Sequence, residues 1–292
     1  MIVNVTYETS GGERYDLQLL EMRYNVLGAF SRRTVQIKEA NFHAWEYSPE
    51  TQDLAQGVKV SAMRKGAASY TAKLYVRGSY TDRRVTLDEY HRAFERDVRA
   101  NCPGRLVWND EWYIPAYVVA SSTYADEGAT ATINDISIFC PYPFWLKDVA
   151  FNYPAQAVTE SEYLDYAYDY EYDYLKDATA SAPIRNDGAG GAYAKITFYG
   201  AAANPWVRIA GKTYGVNYTI AYGETVTIDQ REKTVILTRS DGSEESLFDY
   251  RTKTDGASVF DPIPVGNLTA EWGGDYRVRV VVQNERSEPA WN

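Results

Sequence analysis

A chain of 292 residues is long enough for two domains of ordinary size, and with 45% hydrophobic residues it can bury sizeable cores. Its 26 Tyr and seven Trp stand against three Met, a bias toward side chains that suit half-buried pleated surfaces, so β structure is expected to dominate. Most of the net charge of −10 sits in the second half: residues 1–150 hold 17 basic and 19 acidic side chains (17 − 19 = −2), residues 151–292 hold 13 and 21 (13 − 21 = −8), which argues against nucleic acid as the main partner.

No apolar run approaches the roughly 20 residues of a membrane span, so no membrane insertion is expected. The opening residues 1–15 lack a basic region followed by an apolar core, so folding in a cytoplasm is expected. They alternate instead, with Val3, Val5 and Tyr7 on one face and Asn4, Thr6 and Glu8 on the other, before a turn at Ser10-Gly11-Gly12. Further strands are predicted at Arg33–Ile37, Val58–Met63 and Ala72–Gly78, and basic pairs occur at Arg32-Arg33, Arg64-Lys65 and Arg83-Arg84.

The spacing predicts one helix over Leu87–Ala100, capped by Thr86 with Glu89 and stopped by Pro103-Gly104. Leu87, Tyr90, Phe94 and Val98 share its apolar face. A hairpin follows, Arg105–Trp108 turning at Asn109-Asp110 into Trp112–Ala120, with Pro115 marking an edge or a bulge. Ala129–Phe139 is the next strand. One helix on several strands implies an α+β domain or a helix-plugged barrel.

The run Cys140-Pro141-Tyr142-Pro143-Phe144-Trp145 is extended and semi-rigid, because its prolines deny both helix and central strand. A domain boundary is placed just beyond it, giving domains 1–150 and 151–292. In Tyr163–Tyr174, tyrosines alternate strictly with carboxylates, so an extended chain would have an aromatic and an acidic face. Beyond the flexible run Asp187–Gly191, strands are predicted at Ala194–Tyr199, Trp206–Ile209, Val216–Ile220, Glu224–Asp229, Thr234–Arg239 and Tyr276–Gln283. Turns are predicted at Gly211–Thr213 and Asp241-Gly242, and the spacing argues a β-sandwich or jelly roll.

The chemistry-bearing residues form no catalytic pattern, so no enzyme activity, cofactor or metal is expected. His43 and His91 lack an orienting partner in sequence, and a catalytic histidine needs one. Asp165, Asp169 and Asp173 lack the glycine and ligand spacing of a calcium loop. Carboxylate pairs such as Asp110-Glu111 and Glu244-Glu245 are unremarkable among 40 acidic residues. Gly188–Gly191 has no strand-to-helix context, and Gly211-Lys212-Thr213 lacks the earlier glycine of a phosphate loop. Cys102 and Cys140 are too few for a disulfide framework and are expected to be buried free thiols.

Several blocks in order carry a resemblance. They are Ile136–Trp145, the Tyr/Asp-rich stretch, Asn204–Asn217, Ile228–Thr238 and Asp261–Gly266. This order resembles the distal tail (Dit) family of siphophage tail proteins, including those of prophages in Gram-positive bacteria. The resemblance implies a mainly β protein, with an α+β N-terminal domain carrying one helix and a C-terminal galectin-like β-sandwich. It implies a homo-oligomer, a hexameric ring at the virion tail tip, assembled in the host cytoplasm. The implied partners are the tail tube protein, the tail-tip hub and receptor-binding proteins, and the junction residues Pro141, Tyr142, Pro143, Phe144 and Trp145 would set the angle of the second domain. As an alternative, a carbohydrate-binding module would hold a wall polysaccharide on Trp206, Trp272 and Trp291.

Overall fold

The computed structural model describes residues 2–17, 19–20, 34–125, 131–155, 180–253 and 256–290, and the chain divides into two units. Unit 1 is Met1–Lys147 together with Arg286–Asn292, and unit 2 is Asp148–Glu285. Sequence reasoning places a single boundary near residue 150; the return of the last residues to unit 1 has no signature in composition.

In unit 1, Val5–Glu8 pairs with Arg14–Asp16 on one side and Gly104–Trp108 on the other. From there the order runs through Trp112–Ala125, Ala131–Cys140, Ala68–Arg77 and Thr34–Ala40 to Leu19–Leu20, which pairs with Ile2–Val3. Ile2–Val3 and Val5–Glu8 are one stretch interrupted only at Asn4. The strand path therefore returns to its start, and the sheet closes as a barrel. The expected alternation holds in Ala68–Arg77, where Tyr70, Ala72, Leu74 and Val76 are buried and their neighbours face outward. An aromatic cluster of Phe42, Tyr70, Trp108 and Trp145, with ring centroids 5.8–6.4 Å apart, lies within the core.

The helix spans Tyr80–Ala100, seven residues longer at its start than predicted. Ser79 is the cap: its hydroxyl accepts from the Asp82 N–H at 3.2 Å and donates to the Asp82 carboxylate at 2.7 Å. Thr86 is inside the helix and its hydroxyl donates to the Asp82 carbonyl. The first turns escaped notice because Arg83-Arg84 breaks the apolar period, although Arg83 is buried. The buried face is Arg83, Thr86, Leu87, Ala93, Phe94 and Asp97, with Val98 outside it. Asp97 is fully buried and accepts from Tyr7 Oη (2.7 Å), Ser10 N (3.1 Å) and Ser10 Oγ (2.7 Å), tying helix to barrel. The bulge in Trp112–Ala125 falls at Val118/Ala120 rather than at Pro115, which pairs opposite Arg105.

Unit 2 is a sandwich. One antiparallel sheet orders Val278–Arg286, Tyr193–Tyr199, Thr225–Asp229, Thr234–Thr238 and Glu244–Ser246. The other orders Ala180–Asn186, Gly266–Trp272, Trp206–Ile209 and Lys212–Gly215. Ile196, Phe198, Val226 and Ile228 from the first share a core with Ile184, Val207, Ile209 and Trp272 from the second. The turn predicted at Gly211–Thr213 sits one residue earlier, with Ala210 and Gly211 both at positive φ (51° and 79°), and Lys212–Gly215 is strand. Of the strand predicted at Val216–Ile220 only Thr219–Ile220 forms, because Val216 bridges to Arg251 instead. The glycine run is held by buried Asn186, whose Nδ2 donates to Gly190 O and Ile263 O. Tyr163–Tyr174 with Asp165, Asp169 and Asp173, the pair Arg32-Arg33, and Trp291 lie outside the described residues.

Candidate assembly interface

Between Thr34–Ala40 and Ala68–Arg77 the chain forms a two-stranded ribbon, Ser48–Asp53 paired with Val58–Arg64. Gly57 (φ 82°) closes its tip, where Leu54 N–H donates to Gly57 O at 3.0 Å. Pro49 pairs with Met63, Thr51 with Val60 and Asp53 with Val58. Paired residues share a face, and alternate residues of one strand share it too. Val58 and Val60 alone would leave Met63 on the opposite face. The register shift between Glu50 and Thr51 leaves Ser61 unpaired, with its hydroxyl donating to Glu50 O at 3.0 Å, and this bulge returns Met63 to the side of the valines. Glu50, Gln52, Lys59 and Arg64 share the other face, where Arg64 pairs with Glu50 at 2.6 Å.

The ribbon is thus amphipathic, and its apolar side is uncovered. Val58, Val60 and Met63 are 56%, 48% and 60% exposed, and Leu54 at the tip is 54% exposed. A lone two-stranded hairpin is marginal in water, so its stability comes from its root. There Tyr47 Oη meets Ser287 Oγ at 3.1 Å, and Trp45 packs edge-on to Tyr47 at 5.7 Å. Lys65 Nζ lies 4.5 Å from the centre of the Phe144 ring and 5.5 Å from that of Tyr47, and donates to Ser287 O. Burial against these rings pushes the Lys65 amine down to about 8.

Trp145 is fully buried in the core of unit 1, Pro143 is buried, Tyr142 and Phe144 are half-buried with rings 5.5 Å apart, and Pro141 is exposed. Trp272 is also buried, stacked 4.9 Å from Tyr153 beside an open groove of about 440 Å³ that includes Phe151, Pro154 and Pro183. Trp206 is half-buried in its strand under Arg208. Neither ring is an open platform. Val58–Arg64 matches the strand predicted at Val58–Met63, whereas its partner Ser48–Asp53 reads as a polar loop with a proline, so the pairing that exposes Met63 had no signal.

His43 sits edge-on to Trp108 at 5.2 Å with Nδ1 3.7 Å from Glu288, and His91 Nε2 is 3.0 Å from Ser121 Oγ. Asp110, Glu111 and Glu245 are paired with Arg14, Lys147 and Arg239. Cys140 is buried, with its thiol pushed up to about 12 by desolvation, whereas Cys102 is exposed, contrary to expectation. No group of three or more His, Cys, Asp or Glu among the described residues is arranged to hold a metal, and no described helix is long and apolar enough to cross a membrane.

No family model and no curated protein matches the sequence. Solved structures do match. The Dit protein (gp 19.1) of phage SPP1, described as a hub of the adsorption apparatus of phages infecting Gram-positive bacteria, aligns with a TM-score of 0.60 at 12% identity, over 97% of this chain and 99% of that one. The chain has the Dit fold. A chain of the phage P2 baseplate, in its activated conformation with Ca, gives a TM-score of 0.63 at 11% identity over 99% and 100%. The corresponding structure with Sr gives 0.60 at 12% over 98% and 99%. The Dit fold thus extends over both units, with one α-helix among the described residues and a mainly β architecture.

Proposed function

We propose that this protein is a structural component of a phage tail tip. Copies assemble in the host cytoplasm into a hexameric ring that joins the tail tube to the tail-tip hub and anchors the adhesion proteins. The full-length likeness to Dit and baseplate chains supports the tail role. The observation that carries ring formation is the uncovered apolar side of the Ser48–Arg64 ribbon. An arm on one copy that docks on a different surface of the next makes a head-to-tail contact, and such contacts close into rings when the rotation fits. The segment Pro141–Trp145, anchored through buried Trp145, fixes where the chain leaves unit 1 in this reading. No catalysis is asked of the chain.

Native mass spectrometry with negative-stain imaging tests this. Six copies of a 33.0 kDa chain weigh about 198 kDa and are expected as sixfold rings. A chain that stays monomeric at every concentration, and also with a tail tube protein present, would overturn the reading.

A further inference from the structure

An arm whose apolar side is uncovered takes its direction from its root. Ser48 pairs with Arg64 at the base of the ribbon, and the residues just outside that pair are Tyr47 and Lys65. Both are held by one residue far along the chain. Tyr47 Oη and Ser287 Oγ are 3.1 Å apart, and Lys65 Nζ donates to the Ser287 carbonyl at 3.4 Å. A contact to one strand of a ribbon leaves the other free to swing about it, whereas contacts to both flanks resist swing and twist together. Ser287 is itself fixed from both sides. Before it, at the end of the strand Val278–Arg286, the Arg286 guanidinium lies 5.5 Å from the centre of the Trp112 ring. After it, Glu288 Oε2 lies 3.7 Å from His43 Nδ1, and Pro289 and Ala290 are buried, Ala290 within the hydrophobic core of unit 1. Pro289 adds stiffness, because its ring locks its own φ and confines Glu288 to extended backbone.

We propose that Ser287–Ala290 is a clasp that sets the direction of the ribbon, so that a chain presents its arm for assembly only once these late residues are in place. The ribbon is complete at Arg64, whereas the two contacts that fix its flanks span 222 and 240 residues of sequence. All of unit 2 lies in that interval. Domains fold as units during synthesis, the N-terminal one first, so an unfinished chain carries an apolar arm with no fixed direction. Head-to-tail contacts close into a ring when the rotation between copies fits, and a swinging arm defines no rotation. The clasp thereby couples assembly to completion of the chain. That consequence rests on the ring reading above, whereas the clasp itself does not.

The test is hydrogen exchange read by mass spectrometry on three full-length chains: wild type, Ala290→Asp, and Tyr47→Phe combined with Ser287→Ala. Native mass spectrometry of the same samples reports assembly. Ala290→Asp puts a carboxylate among core side chains and unseats the segment. Exchange of the Ser48–Arg64 amides should rise at least about tenfold relative to that of Ala68–Arg77, and rings should be lost at wild-type ring-forming concentration. The double variant removes the Tyr47–Ser287 hydrogen bond and leaves the core intact, so ribbon exchange should rise about two- to tenfold with the barrel strands unchanged. Should Ala290→Asp loosen ribbon and barrel equally, the double variant decides, since it needs no change in the core. Ribbon exchange at the wild-type level in the double variant would overturn the clasp. Wild-type ring formation by an Ala290→Asp chain with a loosened ribbon would overturn its coupling to assembly. A wild-type chain that forms no ring under any condition would remove the assembly reading instead, and the exchange comparison would still decide the clasp.

Discussion

Val60→Asp separates assembly from folding. Val58, Val60 and Met63 are each about half exposed on one side of the ribbon. Fully burying such a side chain stabilises by roughly 1.5–3 kcal/mol, so about 1 kcal/mol per residue is still to be gained when a neighbour covers it. An aspartate at position 60 forfeits that share and places a carboxylate in the middle of an apolar contact. An unpaired buried charge costs roughly 3 kcal/mol, so the substitution should weaken each contact by about 4 kcal/mol, near a thousandfold in association constant. In the isolated chain the same residue faces water, and the folding free energy should move by less than about 0.5 kcal/mol. Native mass spectrometry at wild-type ring-forming concentration should therefore show monomer, with the thermal midpoint unchanged. A ring population equal to wild type would refute the role of this face. A midpoint lowered by more than about 3 °C would refute it differently, by placing Val60 in the chain's own core.

Gly104→Ala should cost about 2–4 kcal/mol in chemical denaturation, because a Cβ there would lie 2.5 Å from Tyr7 Oη and 2.7 Å from both Asp97 Oδ2 and Glu8 O. A wild-type midpoint would contradict that geometry. Tyr7→Phe should cost about 1.5–3 kcal/mol, read the same way, since it removes one of the hydrogen bonds to the buried Asp97 carboxylate. At pH 8 a thiol reagent should label Cys102 alone in the folded chain and both cysteines after denaturation, since Cys140 is buried and its thiol is held protonated. Lys65 has a folded pKa of about 8 against 10.5 for an ordinary lysine, so between these values the unfolded chain binds more protons. Its contribution therefore rises with pH from about 8 toward 10.5 and is at its least favourable below 8. The thermal midpoint of wild type minus that of Lys65→Met should climb across this window, and a flat difference would count against the burial of the amine.

Legibility followed the origin of each signal. Tyr193–Tyr199, Trp206–Ile209 and Thr234–Thr238 were readable because each strand buries one face in its own core, which writes a period of two into the sequence. The two φ-positive residues Asn109 and Asp110 were legible for a similar reason: few other residue types tolerate that backbone. The helix start was not, because Arg83 and Thr86 are buried polar residues and apolar spacing cannot register them. Barrel closure through Ile2–Glu8 depends on pairings far apart in sequence, such as Val5 with Trp108, and no local pattern encodes those. The ribbon was half legible. Val58–Arg64 has strand composition, while Ser48–Asp53 is strand only because a partner and a bulge place it there.

That asymmetry bears on function. A residue pattern that satisfies the chain's own core is explained once the core is described, and in both units nearly every alternating strand is accounted for in this way. The ribbon is not. Its bulge at Ser61 brings Val58, Val60 and Met63 onto one side, yet no described residue covers that side. Among ways to finish a hairpin, a plain register would have left Met63 on the face opposite Val58 and Val60. Rigid, sorted and uncovered surfaces are what a protein needs when its task is to hold other molecules, whereas a catalytic centre needs converging titratable groups. The ribbon is a feature of the first kind.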